Sequence, residues 1–568
     1  MGYDTLIMDL EADNLLPDVS TVHCIVLRDA DHVMSFKPTQ IEEAFEVMSQ
    51  AKKVVGHNII DYDFKVLEKV YGWKYEGEMF DTLVATRTIY PNLIELDIKD
   101  EKIPKKLYGS HSLKAWGYRL NELKGEFSQG TESFETYSDD MLSYCIQDVQ
   151  VTHKLYQRIL SENFSQEALE LEHNLHTLLS EQTERGFVFD VKKAESLFST
   201  LASRKQEIET ELVNTFEPNV IIMKTKTKEL PFNPASRQQI ADRLQRRGWK
   251  PTEFTPSGEP KVDETTLASI DIPEAKLLQE YLMLNKRLGQ LATGNQAWLK
   301  LQKEGRLHGR VNHMGAVTSR CTHSNPNLGQ VPSLSAKFGK ECRSLFTVPS
   351  GFSLLGADAS GLELRCLANF MARYDSGKYS REILEGDIHT TNQKAAGLET
   401  RSQAKTFIYG FLYGAGDEKV GSIIGRGVKE GRAIKKRFLQ KTPALKRLKD
   451  AVNSSAEKGY IKGLDGRRLP IRHAHASLNT LLQSAGALIC KQWYVTIEKN
   501  LRLNSYTKED VSIVAFVHDE VQLQVKKGLE EKVGTIITQA MHEVEKHYQF
   551  KCKLDSEYKY GQHWADTH

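Results

Sequence analysis

The chain has 568 residues, 40% of them hydrophobic and 27% charged, which is too long for one hydrophobic core, so three to five soluble domains are expected. Its apolar runs, such as residues 513–517, fall far short of the roughly 20 residues that span a bilayer, which excludes a helical membrane anchor and implies a cytoplasmic protein. Lys plus Arg number 76 against 75 Asp plus Glu, a net charge of +1, so any polyanion must meet a local basic surface rather than a uniformly basic molecule.

Residues 4 to about 160 alternate strand-like runs (5–10, 21–27, 53–56) with helix-like ones (63–71, 139–160), which predicts an α/β domain with a mixed sheet. A strand beginning by Thr5 leaves no room for a signal or transit segment before it. Helical patterns follow at 166–183 and 275–301, with Leu278, Leu282, Leu288 and Leu291 near one face of the second. From Gly305 the chain is dense in Gly, His and Arg, then offers a strand at 352–358, helices at 361–370 and 401–413, and a strand-turn-strand over 511–525. Seven scattered cysteines without a C-x-x-C pair argue for a reducing compartment and against disulfides or structural zinc. Local basic surfaces are expected at Lys224, Lys226 and Lys228 and along 435–449.

In the first strand the two-residue period puts Asp9 and Glu11 on one face and Leu6, Met8 and Leu10 on the other. Two adjacent carboxylates repel unless a cation lies between them. Two more acids join them, Asp63 after Asn58 and Tyr62, and Asp148 on the 139–160 helix. Asp61 is an alternative to Asp63. Four hard oxygen donors suit Mg²⁺ or Mn²⁺. Tyr144 precedes Asp148 by four residues, so its phenol shares that helical face and can orient an activated water. In this order and spacing the motifs resemble the DnaQ-like 3′→5′ proofreading exonucleases, and the tyrosine before Asp63 favours it over Asp61.

A second constellation occupies the last 220 or so residues of the sequence. Residues 352–358 read as a buried strand ending in Asp358, and Asp519 lies at the turn of the 511–525 hairpin. If the two pair, these acids converge and can bridge two divalent metals about 3.5–4 Å apart. Between them Arg401, Lys405, Tyr409 and Tyr413 recur every four residues, placing two cations and two aromatics on one helical face. Cations suit a triphosphate, and aromatic rings suit a base.

These residues resemble family A DNA polymerases, and the resemblance covers nearly the whole chain. The run Asp358 to Arg365 is similar to motif A, Arg401 to Gly414 to motif B, and His518-Asp519-Glu520 to motif C. Long stretches at 356–416 and 479–489 are most similar to replicative polymerases of short-tailed bacteriophages. The resemblance implies a multidomain α/β and α+β fold: a DnaQ-like (RNase H-like) exonuclease at 1–165, connection and thumb at 166–305, palm at 306–385 and 470–568, and fingers at 386–469.

It also implies that Asp358, Ala359 and Asp519 hold two Mg²⁺, replaceable by Mn²⁺, with Glu520 as an adjacent acid, and that the exonuclease metals rest on Asp9, Glu11, Asp63 and Asp148. The nucleotide positions are Ala359, Glu363 as sugar gate, His389, Arg401 and Lys405 on the triphosphate, and Tyr409 and Tyr413 around the base. Arg320, Asn479, Gln483 and His518 match DNA contacts. The implied partners are primer–template DNA and dNTPs, with a phage helicase-primase and a single-strand binding protein as further candidates.

Only 15 residues separate Phe216 from Phe232, too few for the thumb insertion by which the phage relatives capture thioredoxin, so no thioredoxin partnership is expected. Lys224, Lys226 and Lys228 lie in that interval as candidate phosphate contacts. The rival readings are an exonuclease alone, or a DNA-binding scaffold with a decayed polymerase site. Against both, every catalytic position of the two sites retains a competent residue.

Overall fold

The computed structural model describes residues 2–122, 134–222 and 227–568. It divides into two compact units, one made of Met1–Arg185, Val311–His323 and Leu355–Tyr560, the other of Gly186–Arg310, Ser324–Leu354 and Gly561–His568.

The first unit begins with a five-stranded mixed sheet. Strand Tyr3–Ala12 lies at its centre, antiparallel to Val22–Arg28 and parallel to Ala51–Gly56. Alternation along this strand explains its position: Leu6, Met8 and Leu10 enter one apolar core while Ile7 enters another with Cys24, Val26 and Val55. The Asp139–Ser161 helix covers the Ile7 face through Met141, Leu142, Cys145 and Val149. Asp9 and Glu11 point to that same face. Helix Asp63–Tyr71 stops at Gly72, whose φ of 66° is a left-handed cap that a side chain would strain.

A second sheet in this unit orders its strands Val511–Val517, Glu520–Lys526, Phe352–Ala359, Ser556–Gly561. The expected strand-turn-strand is a tight hairpin in which Val517 faces Glu520, leaving His518 and Asp519 as the turn with His518 at φ 58°. The Ser477–Leu503 helix packs against Glu530–His547, and the buried Trp493 indole donates to Ile537 O at 2.9 Å. Helices Ile388–Ala396, Arg401–Leu412, Val428–Lys441 and Pro443–Ala456 lie between the strand Phe352–Ala359 and that long helix in sequence. The basic stretch 435–449 falls on the last two of these; Lys435 pairs with Asp417 at 3.1 Å, whereas Lys436, Lys441 and Lys446 are exposed.

In the second unit a small sheet brings Phe346–Thr347, Phe187–Phe189 and Arg306–Leu307 together under a cluster of Phe187, Phe189, Trp298, Phe346 and Trp564. The helix expected over 275–301 runs only from Pro273 to Leu288. It passes through a wide π-type turn at Gly289–Thr293 and resumes at Trp298–Leu301. Gly294 permits this closure, since a Cβ there would lie 2.6 Å from Gly289 O. Within the interval between the two phenylalanines, Asn219–Ile222 pairs antiparallel with Thr227–Leu230, and the Phe216 and Phe232 rings meet at 4.7 Å. Lys224 and Lys226 lie outside the described residues; Lys228 is exposed.

Candidate active sites

The N-terminal carboxylate group is assembled by three elements. Ligand atoms of Asp9, Glu11 and Cys145 lie within 4.8 Å of one another, and the Cys145 thiol donates to Asp9 Oδ2 at 3.6 Å. Tyr144 and Asp148 flank Cys145 within one turn of the same helix, Asp148 buried and Tyr144 half-buried. Asp63 opens its helix as a buried carboxyl. Burial pushes it up to about 7, Asp81 adds to the rise, and a hydrogen bond from the Leu10 backbone partly offsets it. The Tyr62 phenol is raised by burial and then by the charges of Asp63, Glu11, Asp13 and Asp9.

Asp61 faces elsewhere. It accepts from the His176 ring at 3.1 Å and from Ser180. Burial alone would raise Asp61, but His176 and Ser180 hold it well below the usual carboxylate range. Asp61 and Asp63, of which the sequence motif favours Asp63, thus lie in different surroundings. Asp81 was missed. Fully buried, it accepts from Asn58 N at 2.9 Å, Ile60 N at 3.2 Å and Leu83 N at 2.8 Å, and so fixes the loop leading to Asp63. Its signal was an acid directly before a helix-forming run, where a carboxylate caps free amides.

At the second site the strands bring motifs A and C together. The Ala359 amide donates to Asp519 O at 3.0 Å, and the carboxylates of Asp358 and Glu520 approach within 4.8 Å. Asp519 and His518 line a cavity of about 340 Å³ with Arg320, Glu363, Tyr413 and Gln483. Burial raises the Asp519 carboxyl and the Glu363 charge raises it further. Glu520 is buried and accepts from the Gln522 amide. Gln483 Nε2 donates to Asn479 Oδ1 at 2.8 Å, one turn apart on the long helix. The Arg320 guanidinium lies 5.9 Å from the Tyr413 ring centre.

Helix Arg401–Leu412 turns Ala404, Phe407, Ile408 and Leu412 into the core. Arg401, Lys405, Tyr409 and Tyr413 are left on its open side, Tyr413 at the C-terminal cap. His389 stands near them, its ring 6.3 Å from that of Tyr409, and burial together with the Arg401 and Lys405 charges lowers its pKa.

Beside this cavity lies a buried charge cluster that was not anticipated from the sequence pattern. Glu172 accepts from Lys491 Nζ at 2.6 Å, Arg467 Nη1 at 2.7 Å and His313 Nδ1 at 2.8 Å, while Arg467 also pairs with Asp465 at 2.7 Å. Every member is essentially inaccessible to solvent. Lys491 lines the cavity and donates to His313 O at 2.7 Å, which anchors the segment leading to Arg320. Its one sequence signal is a lysine inside the apolar run of a long helix.

Asp9 with Glu11, and Asp358 with Glu520, offer hard carboxylate oxygens at close range, so the donor sets fit divalent cations. A DNA-directed DNA polymerase of Enterobacteria phage T3 is 37% identical over 704 aligned positions, covering 99% of this chain and 100% of the relative. The corresponding enzyme of Escherichia phage T7 gives the same identity and coverage. The POL domain of Pol1 from M. smegmatis, solved with DNA primer-template and dNTP, shares the fold at TM-score 0.77 and 18% identity, over 99% of this chain and 96% of that one. The sequence model of DNA polymerase family A matches residues 195–566, the span that contains all three motifs, and this chain belongs to that family.

Proposed function

We propose that the chain is a replicative phage-type DNA-directed DNA polymerase that extends a primer 3′ end with dNTPs, and that its N-terminal carboxylate group is a 3′→5′ proofreading exonuclease. The observation that carries the reading is a cavity walled by Asp519, Glu363, Tyr413, Arg320 and Gln483, with Asp358 on the neighbouring strand, whose Ala359 amide bonds Asp519 O and whose Asp358 carboxylate lies within 4.8 Å of that of Glu520. Polymerase chemistry needs those parts together: acids for metals, a sugar-contacting group, an aromatic wall and donors toward DNA.

In this reading Asp358, Ala359 and Asp519 hold two Mg²⁺ or Mn²⁺ ions, and Asp9, Glu11, Asp63 and Asp148 hold those of the exonuclease. Such ions, when bound, supply Lewis-acid stabilisation of the attacking and leaving oxygens. The residues of the chain position the reactants. Arg401, Lys405 and His389 take the triphosphate, whose transfer demands chiefly orientation and charge neutralisation. Tyr409 and Tyr413 wall the new base pair, and Glu363 closes the space beside C2′ of the sugar. Arg320 and Gln483 present donors to minor-groove acceptors that correct pairs share, so they sense pair geometry rather than sequence. At the exonuclease site Tyr144 orients the attacking water.

The 15-residue interval between Phe216 and Phe232, whose described ends pair antiparallel, supports a polymerase that works without thioredoxin. A primer-extension assay with and without Mg²⁺ tests the proposal. Template-dependent extension that stops on chelation is expected, together with digestion of a mismatched primer when dNTPs are withheld. Digestion without extension would leave an exonuclease alone, and DNA binding without either would leave a scaffold.

A further inference from the structure

Asp387 stands where two helix N-termini meet, immediately before Ile388–Ala396, which packs against Arg401–Leu412. Its carboxylate accepts from His389 N at 3.1 Å, Thr390 N at 3.4 Å and Thr390 Oγ1 at 2.8 Å. The same two oxygens receive Arg401 Nε at 2.7 Å and Nη2 at 3.1 Å, a side-on fork across 14 residues of sequence. Among the described residues Arg401 has no other hydrogen-bond partner, so the guanidinium edge bearing Nη1 is open.

We infer that Asp387 is a positioning residue for the incoming nucleotide, holding the Arg401 guanidinium in one plane so that its open Nη1 edge faces the triphosphate. This rests on the reading of Arg401, Lys405 and His389 as triphosphate-binding groups. Both side chains of the pair are about half exposed, at 56% and 44%, and ion pairs of that kind add little to stability. Its consequence is orientation. A free arginine samples many rotamers, and fixing one edge of a planar fork leaves the other prepared for a phosphate without further ordering. Asp387 is itself fixed, because the helix amides and Thr390 hold its carboxylate whether or not a nucleotide is present. One residue thereby sets both the first turn that carries His389 and the plane of Arg401.

The opposite reading makes Asp387 a counter-ion that the triphosphate must displace, and the two predict opposite signs. Single-nucleotide incorporation on a primer–template should be measured as kcat and dNTP KM for the parent, Asp387→Asn, Arg401→Ala and the double variant. Asp387→Asn keeps an oxygen to cap the helix and removes the charge of the fork. A rise in dNTP KM of about tenfold is expected, with kcat changed far less, as for loss of a binding interaction common to ground and transition states. In the Arg401→Ala background the same change should add no further rise, whereas a purely structural role would add the same factor again. A KM that falls or stays constant in Asp387→Asn, or full additivity in the double variant, overturns the inference. An unchanged KM in Arg401→Ala would instead remove Arg401 from the triphosphate site, and the underlying reading would fail first.

Discussion

The Tyr413 phenol donates a 2.8 Å hydrogen bond to Glu363 Oε1, linking the cap of the Arg401–Leu412 helix to the first turn of Leu362–Asp375. This bond holds the Glu363 carboxylate against the cavity wall, and the proposed sugar gate rests on that placement. Glu363→Ala should lower discrimination against ribonucleotides by at least about tenfold. Tyr413→Phe should lower it less, because the carboxylate remains but is free to swing. Competition between dNTP and rNTP on one template position reads both values. Equal discrimination in the parent and Glu363→Ala would remove the gate from this residue.

The buried cluster around Glu172 gives a stability prediction. Lys491→Met removes one of the two permanent cations facing that carboxylate and leaves the other charges buried and unbalanced. Destabilisation of roughly 3–5 kcal/mol is expected in denaturant unfolding. Adding Glu172→Gln should recover part of it, because the uncompensated negative charge is then gone. A loss below about 1 kcal/mol in the single variant would mean that water reaches the cluster.

The acid pair of the first strand was legible because period-two alternation needs no tertiary information, and Asp9 and Glu11 share a face as expected. The tight turn at His518-Asp519 was legible for the same reason: two apolar runs flank polar residues. Fork and cluster geometry was not. Glu172, His313, Arg467 and Lys491 lie up to 319 residues apart, and only Lys491, inside the apolar run of a long helix, carries a local mark of burial. The break near Gly289 was also hidden, since leucines continue the helical pattern through it while backbone closure at Gly294 decides the outcome.

Three histidines give a pH signature. Burial lowers His111 and His313 from 6.5 to about 3 and His323 to about 4. The unfolded chain therefore binds protons near pH 6.5 that the folded chain refuses, so this contribution is complete above that pH and is lost as pH falls toward 4. Each such group can cost up to about 2 kcal/mol at pH 5. Asp63, raised to about 7, acts in the opposite direction between 3.8 and 7, since the folded state holds its proton. The difference between variants isolates one group. His313→Gln should flatten the fall in Tm between pH 6.5 and 5 in calorimetry with chelator present, and an unchanged slope would show that His313 binds its proton in the fold as readily as in the unfolded chain.

The hairpin between Phe216 and Phe232 carries Lys228, and Lys224 and Lys226 belong to the same interval of sequence. If these lysines neutralise duplex phosphates, replacing all three by Ala should flatten the slope of log K against log salt by up to about three units, at roughly 0.9 for each contact. Product length per binding event should shorten, and added thioredoxin should leave the parent's products unchanged. The same slope in parent and triple variant would assign the lysines to a solvated loop.

If two separate acid groups run two separate reactions, one paired measurement resolves them. Extension and single-strand digestion should be assayed side by side for Asp358→Asn, Asp519→Asn and the Asp9→Ala, Glu11→Ala double variant. The first two are expected to lose extension by at least about 10³-fold while digesting at the parent rate, as when a charge that acts on the transition state is removed from one site only. The double variant should do the reverse. Near-normal extension by Asp358→Asn or Asp519→Asn, or parent-rate digestion by the double variant, would show that the two acid groups do not divide the two reactions between them.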